Sequence, residues 1–460
     1  MLDGLRVLDL ADGSGALCGR ILGDLGADVV KIEPPGGEAA RREPPFAGDI
    51  PDNDRSLTWF AANLNKRAIT LDITCETGWA LFMRLVETAD VVVSTPTGGR
   101  RIAGARAAER SLRGSKGAGA PFEIPARRGG DADVHQQPTA AAAPLEIPPR
   151  GWQRLDYEEL AAINPRVIVV SMTPYGIDAD FQAASDLEVT ASSGSLWLAG
   201  EAGRTPVRTS VPQSPAWTGM YAAAGVLTAV LARDVTGRGQ QVDVSAQAGM
   251  LTATSQAPIF WDLLREEQYR SGPFLVGRSV TGAQFRNIWP CRDGYVTFAL
   301  YGGQAGRDSG RALVAWMNEV MPIGAPPVLQ QLDWDQLDIA TAPQSVVDDI
   351  EAAIAPFFAA LSKAEFSTSV TSRNILGYPC STVDDMAADP QLVSRGFWQP
   401  VDTAWNGQVC VPGSFALFDG VRPPVRGPAP RIGQHNVDIL CDELGLARDE
   451  LAALRSAGVI

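Results

Sequence analysis

The sequence predicts an α/β protein, with a Rossmann-like large domain and a smaller α+β domain. Three observations lead there. Apolar strand-like runs alternate with helix-spaced segments through the first third of the chain. The alternation resumes after a long interruption at 97–152. Beyond residue 250 the pattern changes to turns, short strands and scattered helices. Alternation of this kind requires crossover connections and a mostly parallel sheet.

The elements follow in order. Arg6–Leu10 reads as a buried strand, 18–25 as a helix by spacing, and Asp28–Glu33 as a second strand. Strands are expected over 67–71 and 90–94, around a helix at 77–88. A helix over 157–164 ends before Pro165, and 166–172 is another apolar strand. The helix predicted over 214–233 opens on Ser214, a capping residue type, and Pro215, which loses no donor at the first helical position. Gln241–Ser245 is a strand, the 289–298 stretch is a turn with strand alternation, and 437–454 returns to helix. The expected division is 1–245 for the N-terminal part of the large domain, 246–395 for the small domain with its linkers, and 396–460 for the C-terminal part of the large domain. The insert at 97–152 is rich in Ala, Gly, Arg and Pro and locally basic, a composition that predicts disorder.

Composition excludes several function classes. A net charge of −14 argues against general nucleic-acid or anionic-membrane binding. No apolar run approaches the roughly 18 residues of a membrane helix, and the first residues enter a strand pattern without a leader signature. A cytoplasmic location is expected. Six scattered cysteines without a C-x-x-C read as buried free thiols. With two histidines, His135 and His435, there is little material for a metal site or a Ser-His-Asp triad, and no metal is expected.

One motif suggests a cofactor. Gly13, Gly15 and Gly19 follow a strand and open a helix, and Glu33 lies near the place of a ribose-binding acid. The spacing is one residue longer than the dinucleotide fingerprint. A nucleotide- or dinucleotide-binding Rossmann protein is therefore an alternative, beside glycines that only allow a tight turn and close packing.

Several separated segments, taken in order, carry a resemblance. They are 6–10 (RVLDL), 25–37 (LGADVVKIEPPGG), 63–72 (NLNKRAITLD), 155–160, 163–168, 236–240 (TGRGQ), 378–380 (YPC), 389–392 (DPQL), 395–396 and 433–435 (GQH). Together they resemble the family III CoA-transferases, the formyl-CoA, carnitine and bile-acid group. The resemblance implies an interlocked dimer with coenzyme A or an acyl-CoA as substrate. It also implies an aspartate nucleophile that forms a mixed anhydride and then an aspartyl-CoA thioester. That aspartate belongs to a V-P-x-x-D-x-x-x-G-x-Y pattern, which aligns with 211–221, so Pro215 occupies its place. The chain is then a non-catalytic or altered subunit, a homodimer or a heteromer with a catalytic paralogue, or an active transferase with a relocated nucleophile. Asp186 and Glu188 are the candidates for relocation, and Ser214 is a weaker one. The racemase branch of the fold lacks both its proton-transfer groups here, at Ser185 and Pro215. The E-N-F part of the family's cofactor loop is missing after Ser94. The remaining candidates for contacts to CoA are Gly13, Ser14, Gly15, Ala16, Lys31, Pro34, Lys66 and Arg67. Tyr301, Gly302 and Gly303 align loosely with a glycine loop that covers the active site in oxalate-type members.

Overall fold

A computed structural model describes residues 1–96, 155–179 and 184–460. The insert expected to be disordered, 97–152, lies outside the described residues. The chain divides into two compact units. The first comprises 1–184, 218–246 and 429–460, and the second 185–217 and 247–428.

The first unit is built on a six-stranded sheet: β1 (Arg6–Leu10), β2 (Asp28–Glu33), β3 (Lys66–Thr70), β4 (Val91–Ser94), β5 (Ile168–Thr173) and β6 (Gln241–Ser245). The order is β3-β2-β1-β4-β5-β6, with every pair parallel. Its helices are α1 (Ala16–Asp24), α2 (Leu57–Asn63), α3 (Glu76–Val86) and α4 (Tyr157–Ile163). Two further helices are α5 (Asp186–Ser192), which belongs to the second unit, and α6 (Ser214–Thr236), of which residues 218–236 belong to the first.

Successive strand side chains point to opposite faces, and both faces are covered. Leu8, Val30, Ile69 and Val92 meet Phe82 and Leu85 of α3 and Leu160 of α4. Val7, Val29, Val91 and Val170 meet Cys18 and Leu22 of α1 and Ala222 and Val226 of α6. That arrangement explains why the strands read as continuous apolar runs.

Three expectations need correction. α6 is long and apolar enough to cross a membrane by length and composition, contrary to the reading that no run comes close. Its apolar character has a packing reason, since Ala222, Ala223, Val226 and Ala229 belong to the core and Arg233 pairs with Asp90 at 2.9 Å. The cysteines are all free, yet only Cys18 is buried and Cys410 is exposed. The predicted helix at 437–454 is two elements, a π-helix at Val437–Glu443 and an α-helix at Arg448–Ser456. Gly445, at φ +82°, turns the chain between them.

The second unit has its own core. Ile288–Cys291, Gly294–Phe298 and Gly377–Pro379 form an antiparallel sheet. Trp289, Val296 and Phe298 pack with Ile354, Phe357, Phe358 and Phe366. Residues 398–412 form a separate hairpin within this unit.

Candidate functional site

The start of α6 is where sequence reasoning places the chemistry. Pro215 has no N–H, and its half-buried ring offers no nucleophile. The carboxylate that does reach this turn belongs to Asp186. Its Oδ1 accepts from Gln213 N–H at 2.9 Å, Ser214 N–H at 2.8 Å and the Ser214 hydroxyl at 2.9 Å. Ala216 and Trp217 N–H bond back to Gln213 O at 3.1 and 3.2 Å. The backbone donors from 213 to 217 are therefore all engaged inside the chain. A helix start is favourable ground for an anion, and Asp186 already fills that role. Ser214 Oγ donates to Asp186, so a carboxylate the sequence reading did not place here also caps this turn.

Glu188 is not brought to the same place. It closes a capping box on α5, where Ser185 N–H donates to Glu188 Oε2 at 2.6 Å. That backbone bond holds its carboxyl below the usual range. Glu188 is thus a capping carboxylate on an exposed turn.

The second candidate region is the crevice where strands β1 and β4 end and the chain diverges to either side, the usual ligand position in such sheets. Gly13, Ser14, Gly15 and Ala16 lie here, between β1 and the first turn of α1. Asp12, missed by the sequence reading, organises the turn. Its Oδ1 accepts from Ser14 N–H at 2.9 Å and Ser14 Oγ at 2.5 Å, and its own N–H donates to Thr95 Oγ1 at 2.7 Å. The signal for it was the Asp-x-Ser pattern of an Asx turn. The glycines serve close packing. A Cβ on Gly15 would stand 2.4 Å from Met172 Cε, and one on Gly19 2.2 Å from Asp9 Oδ2.

The dinucleotide alternative fails at Glu33, which is fully buried. Arg41 Nη2 and Nε bond its two oxygens, each at 2.7 Å, and Glu38 N–H adds a third bond at 3.0 Å. A ribose hydroxyl finds no acceptor there. Two of the proposed CoA contacts are likewise internal. Lys31 is 1% exposed, forms an ion pair with Glu38 at 2.8 Å and donates to Ala11 O. Lys66 is 4% exposed and donates to Asp9 Oδ2 at 2.8 Å, Asn63 Oδ1 at 2.8 Å and Ala16 O at 2.9 Å. Burial lowers the Lys66 pKa against the pull of Asp9. Arg67 sits near the start of β3, away from the strand ends, and binds Asp28 at 2.6 Å and also Glu443. Pro34 opens the turn to Gly37, whose N–H donates to Pro34 O at 2.9 Å.

In the second unit, Tyr301 joins Thr297, Leu376 and Gly377 around a cavity of about 410 Å³. Among the described residues no charged side chain lines it. The Gly302–Gly303 pair opens the helix Gly303–Val320, with Gly303 at φ +73°.

Known proteins share this architecture along nearly their whole length. A CAIB/BAIF family protein from Brucella suis superposes with a TM-score of 0.69 at 22% identity, covering 96% of this chain and 98% of that one. Subunit BbsE of succinyl-CoA:(R)-benzylsuccinate CoA-transferase from Thauera aromatica is 28% identical over 458 residues, 99% of this chain and 97% of the relative. Formyl-CoA:oxalate CoA-transferase from Streptomyces avermitilis is 26% identical, with 100% of this chain and 99% of the relative covered. The family model for CoA-transferase family III matches residues 2–105 and 149–436, so the motif series and the doubly wound sheet have one explanation: the chain belongs to CoA-transferase family III.

Proposed function

We propose that this chain is a CoA-transferase subunit that binds an acyl-CoA without supplying the attacking carboxylate, and that it works beside a chain that does. The observation that carries this reading is the first turn of α6. Pro215 stands where the resemblance puts the nucleophile. The neighbouring donors that would steady an attacking or departing oxyanion are held by Asp186 and Gln213 O. The strand-end loop of Gly13, Ser14, Gly15 and Ala16, with the Pro34 turn, is the proposed rest for the nucleotide end of CoA. Lys31 and Lys66 support that loop from beneath, because they donate to Ala11 O and Ala16 O. Six unpaired thiols suit a reducing compartment, the cytoplasm in this reading.

A partner chain has support of its own. The helix Gln256–Leu264 has no buried residue, and Ile259, Trp261, Leu263 and Leu264 are 54, 48, 74 and 56% exposed. Contiguous exposed apolar surface marks an association face. The Thauera relative, moreover, is named as a subunit. Whether the partner is a second copy or a paralogue bearing the acid is decided by purification from the native host.

A second reading makes Asp186 the nucleophile, since it lies at the head of the same helix. Three donors on Oδ1 concentrate its charge in internal bonds and favour the positioning role.

The test is trapping. The chain alone, incubated with an acyl-CoA and then hydroxylamine, is expected to give no protein hydroxamate. Pro215→Asp restores a carboxylate at a position where helices favour one and is expected to give a hydroxamate at residue 215. A hydroxamate mapped to Asp186 in the unaltered protein would overturn the proposal in favour of the second reading.

A further inference from the structure

β3 is an outer strand of its sheet, so its outward backbone groups need partners from beyond the ladder. Residues 435 and 436 provide them. His435 N–H donates to Ala68 O at 2.9 Å, and His435 Nδ1 accepts from Ala68 N–H at 3.0 Å. Asn436 Oδ1 accepts from Thr70 N–H at 2.9 Å, while its Nδ2 donates to Thr70 Oγ1 at 2.9 Å. Arg41 Nη2 holds Pro430 O at 2.9 Å just upstream. Downstream, Ile439, Leu440 and Leu451 enter the core beside Phe82 and Leu85. Within this docking, the bond at Nδ1 depends on a proton. A ring nitrogen accepts only when bare, so the imidazole must be neutral with its hydrogen on Nε2.

We infer that His435 is a proton-sensitive latch: neutral, it helps fasten the segment 429–460 to the edge of β3, and protonated, it loosens that attachment. A proton taken from solvent onto Nδ1 would face the Ala68 N–H, donor against donor. The charged groups around the ring come from three elements: Arg67 on β3, Asp28 on β2 and Asp438 on the following π-helix. The two acids and the backbone of Ala68 favour the imidazolium, and Arg67 opposes it. Burial, the largest influence, together with Arg67, outweighs them and holds the docked ring below its ordinary value.

The sign follows from linkage. A detached His435 titrates near its ordinary value of about 6.5 and binds the proton more readily than the docked one. Attachment is at full strength above about pH 6.5, weakens as pH falls below it, and levels off once the docked ring titrates as well. The greatest loss is about tenfold at pH 5.5, one unit below the free value.

The experiment uses the full chain. The sequence holds two histidines, so His135→Asn leaves His435 as the single imidazole for NMR titration. Hydrogen exchange of peptides covering 66–71 and 437–460 is followed at pH 7.5 and 5.5, corrected for intrinsic rates, with β4 and β5 peptides as internal references. The expected result is an Nε2–H tautomer at pH 7.5, a titration midpoint below 6.5, and up to tenfold loss of protection at pH 5.5 confined to those two regions. His435→Asn keeps an acceptor at the Nδ1 position without a titrating group, and its protection is expected to be flat with pH. A midpoint at or above 6.5, or the same pH response in wild type and His435→Asn, would overturn the latch. If His435→Asn does not fold, the tautomer and midpoint of the His135→Asn protein decide alone.

Discussion

Asp9 and Lys66 are both fully buried as side chains and face one another at 2.8 Å. Removing one member of such a pair leaves an uncompensated charge, which costs about 3–5 kcal/mol. Asp9→Asn is therefore expected to lower the unfolding free energy measured by urea titration by an amount in that range. Asp186→Ala strips the shared acceptor from Gln213 and Ser214, and is expected to cost about 1–3 kcal/mol in the same measurement. At this scale the sequence was only partly legible. It showed Lys31 close to the glycine-containing turn at 34–37, and Lys66 with Arg67, which are cations of the kind a phosphate site requires. Whether a cation faces a ligand or an internal carboxylate depends on the packing of α1 on the sheet, and no spacing rule contains that. Asp186 was legible as a candidate because it falls in a short polar stretch, yet its partners lie 27 and 28 residues away. Asp12 was missed because its partner Thr95 is 83 residues distant.

Among the elements, α1 is closely placed on its sheet. Gly19 lets it approach β1 so closely that a Cβ would stand 2.2 Å from Asp9 Oδ2. Gly19→Ala is expected to destabilise by about 1–3 kcal/mol through overpacking, read as a lower thermal midpoint. Gly4→Ala tests a different cost. A Cβ there meets nothing within 4 Å, but φ is +84°, so the expected loss is about 1 kcal/mol from backbone strain alone. Most of the strands were readable because they are buried on both faces and show as short apolar runs; β6 is only partly buried and was read from the turn at 236–240 that precedes it. α6 was readable from its composition, although its end at Thr236 lies beyond the predicted 233. The π-helix was not readable, since a 437–454 helix and a π-helix followed by a turn share much the same apolar spacing. What separates them is the docking of Ile439 and Leu440 in the core.

Across the whole molecule, a mostly parallel sheet was implied by alternation and a Rossmann-like domain by the family resemblance, but the order β3-β2-β1-β4-β5-β6 comes from the structure, and association between chains was implied by the resemblance alone. The exposed helix Gln256–Leu264 gives association a physical handle. Leu263 is 74% exposed, so Leu263→Asp should change the stability of a lone chain by no more than about 0.5 kcal/mol. In sedimentation the wild type is expected to run as a dimer or larger, and Leu263→Asp to shift toward the monomer. A wild-type monomer at micromolar concentration would remove the association face from the argument.

The pairing of Thr70 with Asn436 joins positions 366 residues apart. Translation proceeds at about 5–20 residues per second, so a ribosome takes roughly 20–70 s to cover that interval. For that long an emerging chain carries a finished strand with one flank bare, which is the kind of surface that recruits chaperones or sticks to its neighbours on a polysome. The segment 429–460 therefore acts as a seal applied long after β3 has left the ribosome, and its removal should reveal itself first as aggregation.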